Sequence, residues 1–61
     1  MNRNRLRALN ALDRCARKYP HLRIGQIIVN ALPDNFHDPY YAEDGMLASA
    51  LESYLHQEAT E

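Results

Sequence analysis

The sequence has one cysteine, two glycines, no tryptophan and no apolar run longer than three residues. A single cysteine, Cys15, excludes a disulfide within the chain. One cysteine and three scattered histidines also lack the close ligand pairing of structural zinc sites, so we expect no metal and no cofactor. Apolar runs this short predict no membrane span. The first residues carry positive charge but no apolar segment follows, which is unlike a secretory signal. With the lone thiol, this predicts a cytoplasmic protein.

Basic residues are missing from the whole chain after Arg23. Seven basic residues and one acid, Asp13, occupy positions 1–23, which therefore carry a charge of +6. The seven other acids lie at or beyond Asp34, so positions 24–61 carry −7. The overall charge is only −1. That near balance is unlike a dedicated nucleic-acid-binding domain, which is usually strongly basic.

The length of 61 residues predicts one domain with a small core. A chain of this size buries only about 60% of its unfolded surface, so a monomer is marginally stable. Disulfides, metals and self-association are the usual remedies for small domains. Because the first two are not expected here, self-association into a homo-oligomer is the favoured one, although well-packed helices in a monomer could also suffice.

Hydrophobic periodicity predicts a compact all-α domain of three helices, at about 4–18, 21–32 and 43–56. In the second helix, Ile24, Ile27, Ile28, Ala31 and Leu32 follow the spacing of one buried face. We therefore expect this helix to lie centrally, with both ends of the chain packed against it. Gly25 inside it suggests that a neighbouring helix approaches closely, since glycine otherwise weakens a helix by about 1 kcal/mol.

The first helix is amphipathic, with Asn2 or Asn4 as its expected N-cap. Leu9, Leu12, Ala16 and Tyr19 lie on one side, and Cys15 at its edge is predicted to be a small buried residue. The opposite side is a candidate basic face, made of Arg3, Arg7, Arg14, Arg17 and Lys18. These residues could bind nucleic-acid phosphates. We favour the alternative, a solvated face that is partly neutralised by the acidic second half of the chain.

The segment between the second and third helices is rich in proline, aspartate and aromatic residues. Asp38 followed by Pro39 predicts a capped single turn over Pro39 to Ala42. We expect Phe36, Tyr40 and Tyr41 to hold this loop against the core. If Tyr40 and Tyr41 were exposed instead, they would indicate a protein-contact hot spot.

Two segments of the chain carry a resemblance to known proteins. Residues Pro20 to Asn30 read PHLRIGQIIVN, and residues Asp38 to Asp44 read DPYYAED. Together they resemble a group of short uncharacterised proteins of Gram-positive bacteria and their phages, whose pattern is P-x-L-R-x-G-Q-x-I-x-N followed by D-P-[FY]-Y-x-E-D and a terminal helix. The resemblance implies a helical fold and a phage or prophage origin. It brings no assigned activity.

A candidate interaction surface is formed by Arg23, Gln26, Asn30, Tyr40 and Tyr41. The first three make a polar stripe on the second helix that could contact a partner or set the register of a self-associated form. The favoured alternative is structural: Gln26 and Asn30 bond to the loop backbone, and Arg23 pairs with Glu43 or Asp44.

No motif in the sequence carries a chemical reaction. The loop residues Asp34, His37, Asp38, Glu43 and Asp44 include groups used in catalysis and metal binding, but such chemistry needs a cleft that a small domain hardly provides. We predict that they are caps and turn formers. The sequence therefore favours a non-enzymatic protein that binds a protein partner or itself. The alternative is a nucleic-acid-associated regulator that uses the basic face.

Overall fold

Three α-helices make up the computed structural model, which describes residues 2–33, 36 and 38–57. They are α1 (Arg3–Lys18), α2 (Ile24–Ala31) and α3 (Asp44–Leu55). A short 3-10 turn, Pro39–Tyr41, lies between α2 and α3, and the described residues contain no strand. The predicted all-α, three-helix class is confirmed. The radius of gyration, 11.0 Å, is close to the value of about 10.5 Å expected for a globule of this length.

Side-chain caps begin α1 and the 3-10 turn as predicted. The Asn2 Oδ1 atom accepts a hydrogen bond from the Asn4 backbone N–H at 2.7 Å. The Asp38 Oδ1 atom accepts from the Tyr40 backbone N–H at 3.0 Å. Each bond satisfies a backbone donor that the first turn of a helix leaves free.

The second helix is shorter than predicted. A turn after Pro20 is closed by a hydrogen bond from the Leu22 N–H to the Tyr19 carbonyl oxygen at 3.0 Å, so α2 begins only at Ile24. It ends at Ala31, because Leu32 is already extended.

The largest helix–helix interface joins α1 and α3, and α2 makes a smaller contact with each. The start of α1 lies beside the start of α3, where Asn4 is next to Gly45. At the other end, the Lys18 ammonium donates to the Leu55 carbonyl oxygen at 2.6 Å. The two helices therefore run in the same direction. As predicted, both other helices contact α2, but the prediction that α2 is the central helix was wrong because α1 and α3 form the main pair.

The core is centred on four fully or almost fully buried residues: Ala11, Cys15, Ile27 and Leu51. The Cys15 thiol donates to the Leu51 carbonyl oxygen at 3.4 Å. The predicted role of Cys15 as a buried filler is confirmed. The buried side of α1 is rotated from the predicted one, since Ala8 and Ala11 are buried whereas Leu9 is half exposed.

Burial along α2 is narrower than its apolar pattern predicted. Ile27 is completely buried, but the Ile24 side chain is 47% exposed. Gly25 is also exposed, and no heavy atom lies within 4 Å of a Cβ built on it. The expected close approach of another helix of this chain at Gly25 is therefore wrong. The tight contact occurs at Gly45, where a Cβ would lie 3.1 Å from the Asn4 Nδ2 atom.

Candidate protein-interaction surface

An open groove of about 630 Å³ runs along the side of α2 that faces away from the core. We call this side the α2 outer face; it is lined by Leu22, Arg23, Gly25, Gln26, Val29 and Asn30. Its apolar part comes from Val29, which is 59% exposed, and from Leu22, which is partly buried and also packs against the core. Gly25 and Val29 lie four residues apart on one side of α2, and Leu22 lies in the turn before the helix.

Hydrogen bonds hold the two amide side chains of this face in place. The Gln26 Oε1 atom accepts from the Arg23 backbone N–H at 2.8 Å, which caps the start of α2. The Asn30 Nδ2 atom donates to the Tyr54 hydroxyl at 3.4 Å. The prediction that both amides bond to the loop backbone was wrong, because each finds its partner on α2 or α3.

Arg23 is exposed, and it makes no ion pair among the residues that the structure describes. The predicted pair with Glu43 or Asp44 is absent from that set: Asp44 instead binds Arg5, at 3.1 Å between the Arg5 Nε and Asp44 Oδ2 atoms. The same groove is lined by Arg23, Gln26 and Asn30. The three polar residues thus share one surface, as the interaction hypothesis requires.

The two neighbouring tyrosines of the 3-10 turn are exposed. Tyr40 is 83% and Tyr41 is 71% exposed, so the prediction that they hold the loop against the core was wrong. Their ring centroids lie 5.0 Å apart with planes at 83°, the edge-to-face geometry that aromatic pairs favour. Phe36 is partly buried, unlike the tyrosines. The exposed pair matches the condition stated for a protein-contact hot spot.

The basic face of α1 is partly neutralised within the chain. The Arg7 guanidinium makes two hydrogen bonds to the Glu52 carboxylate, at 2.7 and 3.2 Å. The bond from Arg7 is the largest cause of a lowered pKa at Glu52, and the carboxylate in turn raises the pKa of Arg7. The Arg17 Nε atom lies 3.1 Å from the Asp13 Oδ2 atom.

The basic face contains three more cations, which are Lys18, Arg3 and Arg14. Lys18 donates to the carbonyl oxygen of Leu55, the last residue of α3, and to that of Gln57 just beyond it. A positive charge is favourable at the C-terminus of a helix. Arg3 and Arg14 make no ion pair with any described residue. Arg14 lies on a second open groove of about 630 Å³ between α1 and α3, which Asn10 and His56 also line.

The described loop residues with catalytic or metal-binding groups, Asp38, Glu43 and Asp44, have separate structural roles. Asp38 caps the 3-10 turn, as predicted, and Asp44 pairs with Arg5. Glu43 is the N-cap residue of α3 and is exposed. Asp34 and His37 lie outside the described residues. Within the described part, no group of three His, Cys, Asp or Glu side chains is placed to hold a metal ion.

The apolar members of the α2 outer face were not predicted from the sequence. Leu22 and Val29 were not selected because the isoleucines of α2 dominate its hydrophobic pattern. The spacing of four residues between Gly25 and Val29 is the signal that could have identified a second side of this helix.

Among the described residues, no helix combines the length and apolar character needed to cross a membrane. Comparison with known proteins gave no match to a family model, to a curated protein or to a solved structure.

Proposed function

We propose that this chain is a small, non-catalytic cytoplasmic protein that acts by binding another protein or a second copy of itself. The observation that carries the proposal is the exposure of Tyr40 and Tyr41 at the tip of a capped turn. The free, buried thiol of Cys15 is consistent with a reducing compartment. The proposed phage or prophage origin depends on the sequence resemblance alone.

The physical reason for the proposal is the large apolar area that the tyrosine pair leaves in water. An aromatic side chain buries about 150–250 Å² when it is covered. Tyrosine is enriched among the residues that dominate protein–protein binding, because its ring is rigid and its hydroxyl can still hydrogen-bond. Two such rings side by side, held by the Asp38 cap, form a preorganised contact point.

Capture of partners by the immobilised full-length chain tests this proposal. The double variant Tyr40→Ser, Tyr41→Ser should lose the captured partner, with affinity falling about tenfold to hundredfold. The matched control, Tyr40→Phe with Tyr41→Phe, keeps both rings and should retain most of the binding. Both variants should unfold at the temperature of the wild type, since the rings are exposed. Equal capture by the serine variant and the wild type would refute the role of this pair.

A second candidate function is association with nucleic acid through the basic face. The supporting observation is that Arg3 and Arg14 lie on the same side of α1 without an ion pair among the described residues. In a gel-shift titration, the double variant Arg3→Glu, Arg14→Glu should abolish retention. The control Arg17→Glu changes a cation that already pairs with Asp13, so its effect should be smaller. Retention that is unchanged in the double variant eliminates this function.

A further inference from the structure

We propose that the α2 outer face binds the same face of a second copy of this chain, with the two α2 helices antiparallel across a two-fold axis at the level of Ile28. This inference depends on the proposed protein-binding function and specifies the partner. A two-fold interface requires a surface that is complementary to itself. The amides, the charge and the apolar centre of the α2 outer face each meet that requirement.

The two amides have complementary groups left over. The Gln26 oxygen is occupied by the Arg23 N–H, which leaves both amide N–H donors of Gln26 available. The Asn30 nitrogen donates to Tyr54, which leaves the Asn30 oxygen available as an acceptor. An axis at the level of Ile28 places Gln26 of one copy opposite Asn30 of the other. A donor then faces an acceptor twice, once on each side of the axis.

The charge distribution also fits the antiparallel arrangement. Arg23 stands at the N-terminus of α2, and α2 itself has no basic residue in its last turn. Across the axis, Arg23 comes close to the C-terminal end of the other α2, where the backbone carbonyls carry partial negative charge. The two Arg23 residues are then separated by ten residue positions, about 15 Å along the helices. Each Arg23 is therefore attracted to the C-terminal end of the other α2, and the two Arg23 side chains do not contact each other.

The centre of the proposed interface is small and apolar. Val29 lies one residue from the axis, so the two Val29 side chains are about 3 Å apart along the helix direction and meet directly. Gly25 presents bare backbone beside them, with nothing of its own chain within 4 Å of a built Cβ. A glycine in a helix is unfavourable in the monomer. Close approach of a second α2 would explain the glycine at position 25, because contacts within the single chain do not require one.

Sedimentation equilibrium of the full chain tests the inference. Because small interfaces bind weakly, the concentrations should extend from about 10 µM to about 1 mM. The wild-type mass should rise with concentration from 7.1 kDa toward twice that value. Val29→Arg should raise the dissociation constant at least tenfold, since it places two cations near the axis. Ser53→Arg is the control: it adds the same charge at an exposed position of α3 and should leave the constant unchanged. Circular dichroism of both variants verifies that they are folded.

Disulfide trapping tests the register. A mixture of Gln26→Cys and Asn30→Cys chains should form the mixed disulfide faster than either variant forms its own, because only the mixed pair faces directly across the axis. A disulfide requires Cα atoms within about 7 Å. The native Cys15 is completely buried and does not compete. Equal rates for all three pairings would overturn the antiparallel register.

The outcomes separate this inference from the proposed function. A wild-type chain that stays monomeric at 1 mM, or a Val29→Arg chain that dimerises normally, overturns the second-copy inference. If the chain is monomeric and Val29→Arg abolishes binding of a different protein, the proposed function stands and the second copy is ruled out. If the chain dimerises through Val29 while the tyrosine variants behave as wild type, the inference stands and the role of Tyr40 and Tyr41 fails.

Discussion

Alanine substitutions of Ile27 and Ile24 should have very different effects on stability, although the two isoleucines lie one turn apart on α2. Ile27 is 0% exposed and belongs to the central core cluster with Cys15 and Leu51. Ile24 is 47% exposed. The sequence pattern alone assigns both residues to the same buried face, so this comparison tests the structure directly.

The expected magnitudes follow from burial. Replacing a fully buried isoleucine by alanine costs about 2–5 kcal/mol, because apolar contacts are lost and a cavity is left. Full burial of such a side chain is worth about 1.5–3 kcal/mol. A side chain that is half exposed therefore contributes about half as much, and Ile24→Ala should cost about 1 kcal/mol. At about 0.05–0.15 kcal/mol per residue, the free energy of unfolding of this chain is about 3–9 kcal/mol. Ile27→Ala thus removes a large part of it.

Urea denaturation followed by circular dichroism measures both costs. With a slope of about 1 kcal/mol per molar urea for a domain of this size, Ile27→Ala should lower the midpoint by about 2–5 M. Ile24→Ala should lower it by about 1 M. The protein is kept at low micromolar concentration, so that association does not contribute. If Ile27→Ala is unfolded without urea, Ile27→Val provides a measurable cost of about 0.5–1.5 kcal/mol. Equal midpoints for the two alanine variants would refute the assigned burial of α2.

Three further measurements test other parts of the structure. Arg7 lowers the pKa of Glu52 in the folded chain. The ionised Glu52 carboxylate therefore stabilises the fold above its ordinary pKa, and this stabilisation is lost as the pH falls through the folded pKa. In the variant Glu52→Gln, the melting temperature should decline less steeply in acid. The Cys15 thiol, buried and with a raised pKa, should react with a thiol reagent at the rate of unfolding, and rapid reaction of the native chain would contradict its burial. Gly25→Ala should stabilise the monomer by up to about 1 kcal/mol, because the added Cβ meets nothing within 4 Å, and a loss of stability in urea would contradict that open environment.

Local signals predicted the secondary structure well because they act within a few residues. The Asn2 cap, the Asp38 cap before Pro39 and the break at Pro20 all depend on neighbouring backbone groups. Their positions can therefore be derived from the sequence. The predicted start of α2, at residue 21, was wrong by three residues. A turn closed by a hydrogen bond between Leu22 and Tyr19 occupies the positions before Ile24.

Helix pairing was harder to predict, because amphipathic spacing identifies an apolar face but not the element that covers it. Ile24 and Ile27 follow the same pattern, yet only Ile27 points between α1 and α3. The partners of Arg5 and Arg7 lie 39 and 45 residues away, which spacing within one helix cannot reveal. Exposure of Tyr40 and Tyr41 likewise depends on where the 3-10 turn is placed by the rest of the fold.

The charge asymmetry of the chain is partly neutralised by two ion pairs between α1 and α3. Arg5 and Arg7 meet acids of α3, and Lys18 meets the carbonyls that end α3. Each exposed ion pair contributes little to stability, so these contacts align the two helices more than they stabilise them. The α2 outer face carries one charged residue, Arg23, and the tyrosine pair carries none. Recognition through them should therefore depend only weakly on ionic strength.

Salt dependence thus separates the two candidate functions without knowledge of the partner. Binding of nucleic acid through Arg3 and Arg14 alone would release counterions at two phosphates, for a slope of about −1.8 in log K against log salt. Affinity would then fall about 60-fold between 50 and 500 mM salt. Association through the α2 outer face or the tyrosine pair should change by only a few-fold, since apolar burial is little affected by screening. A steep slope for partner binding or for dimerisation would show that the basic face, and not these surfaces, makes the contact.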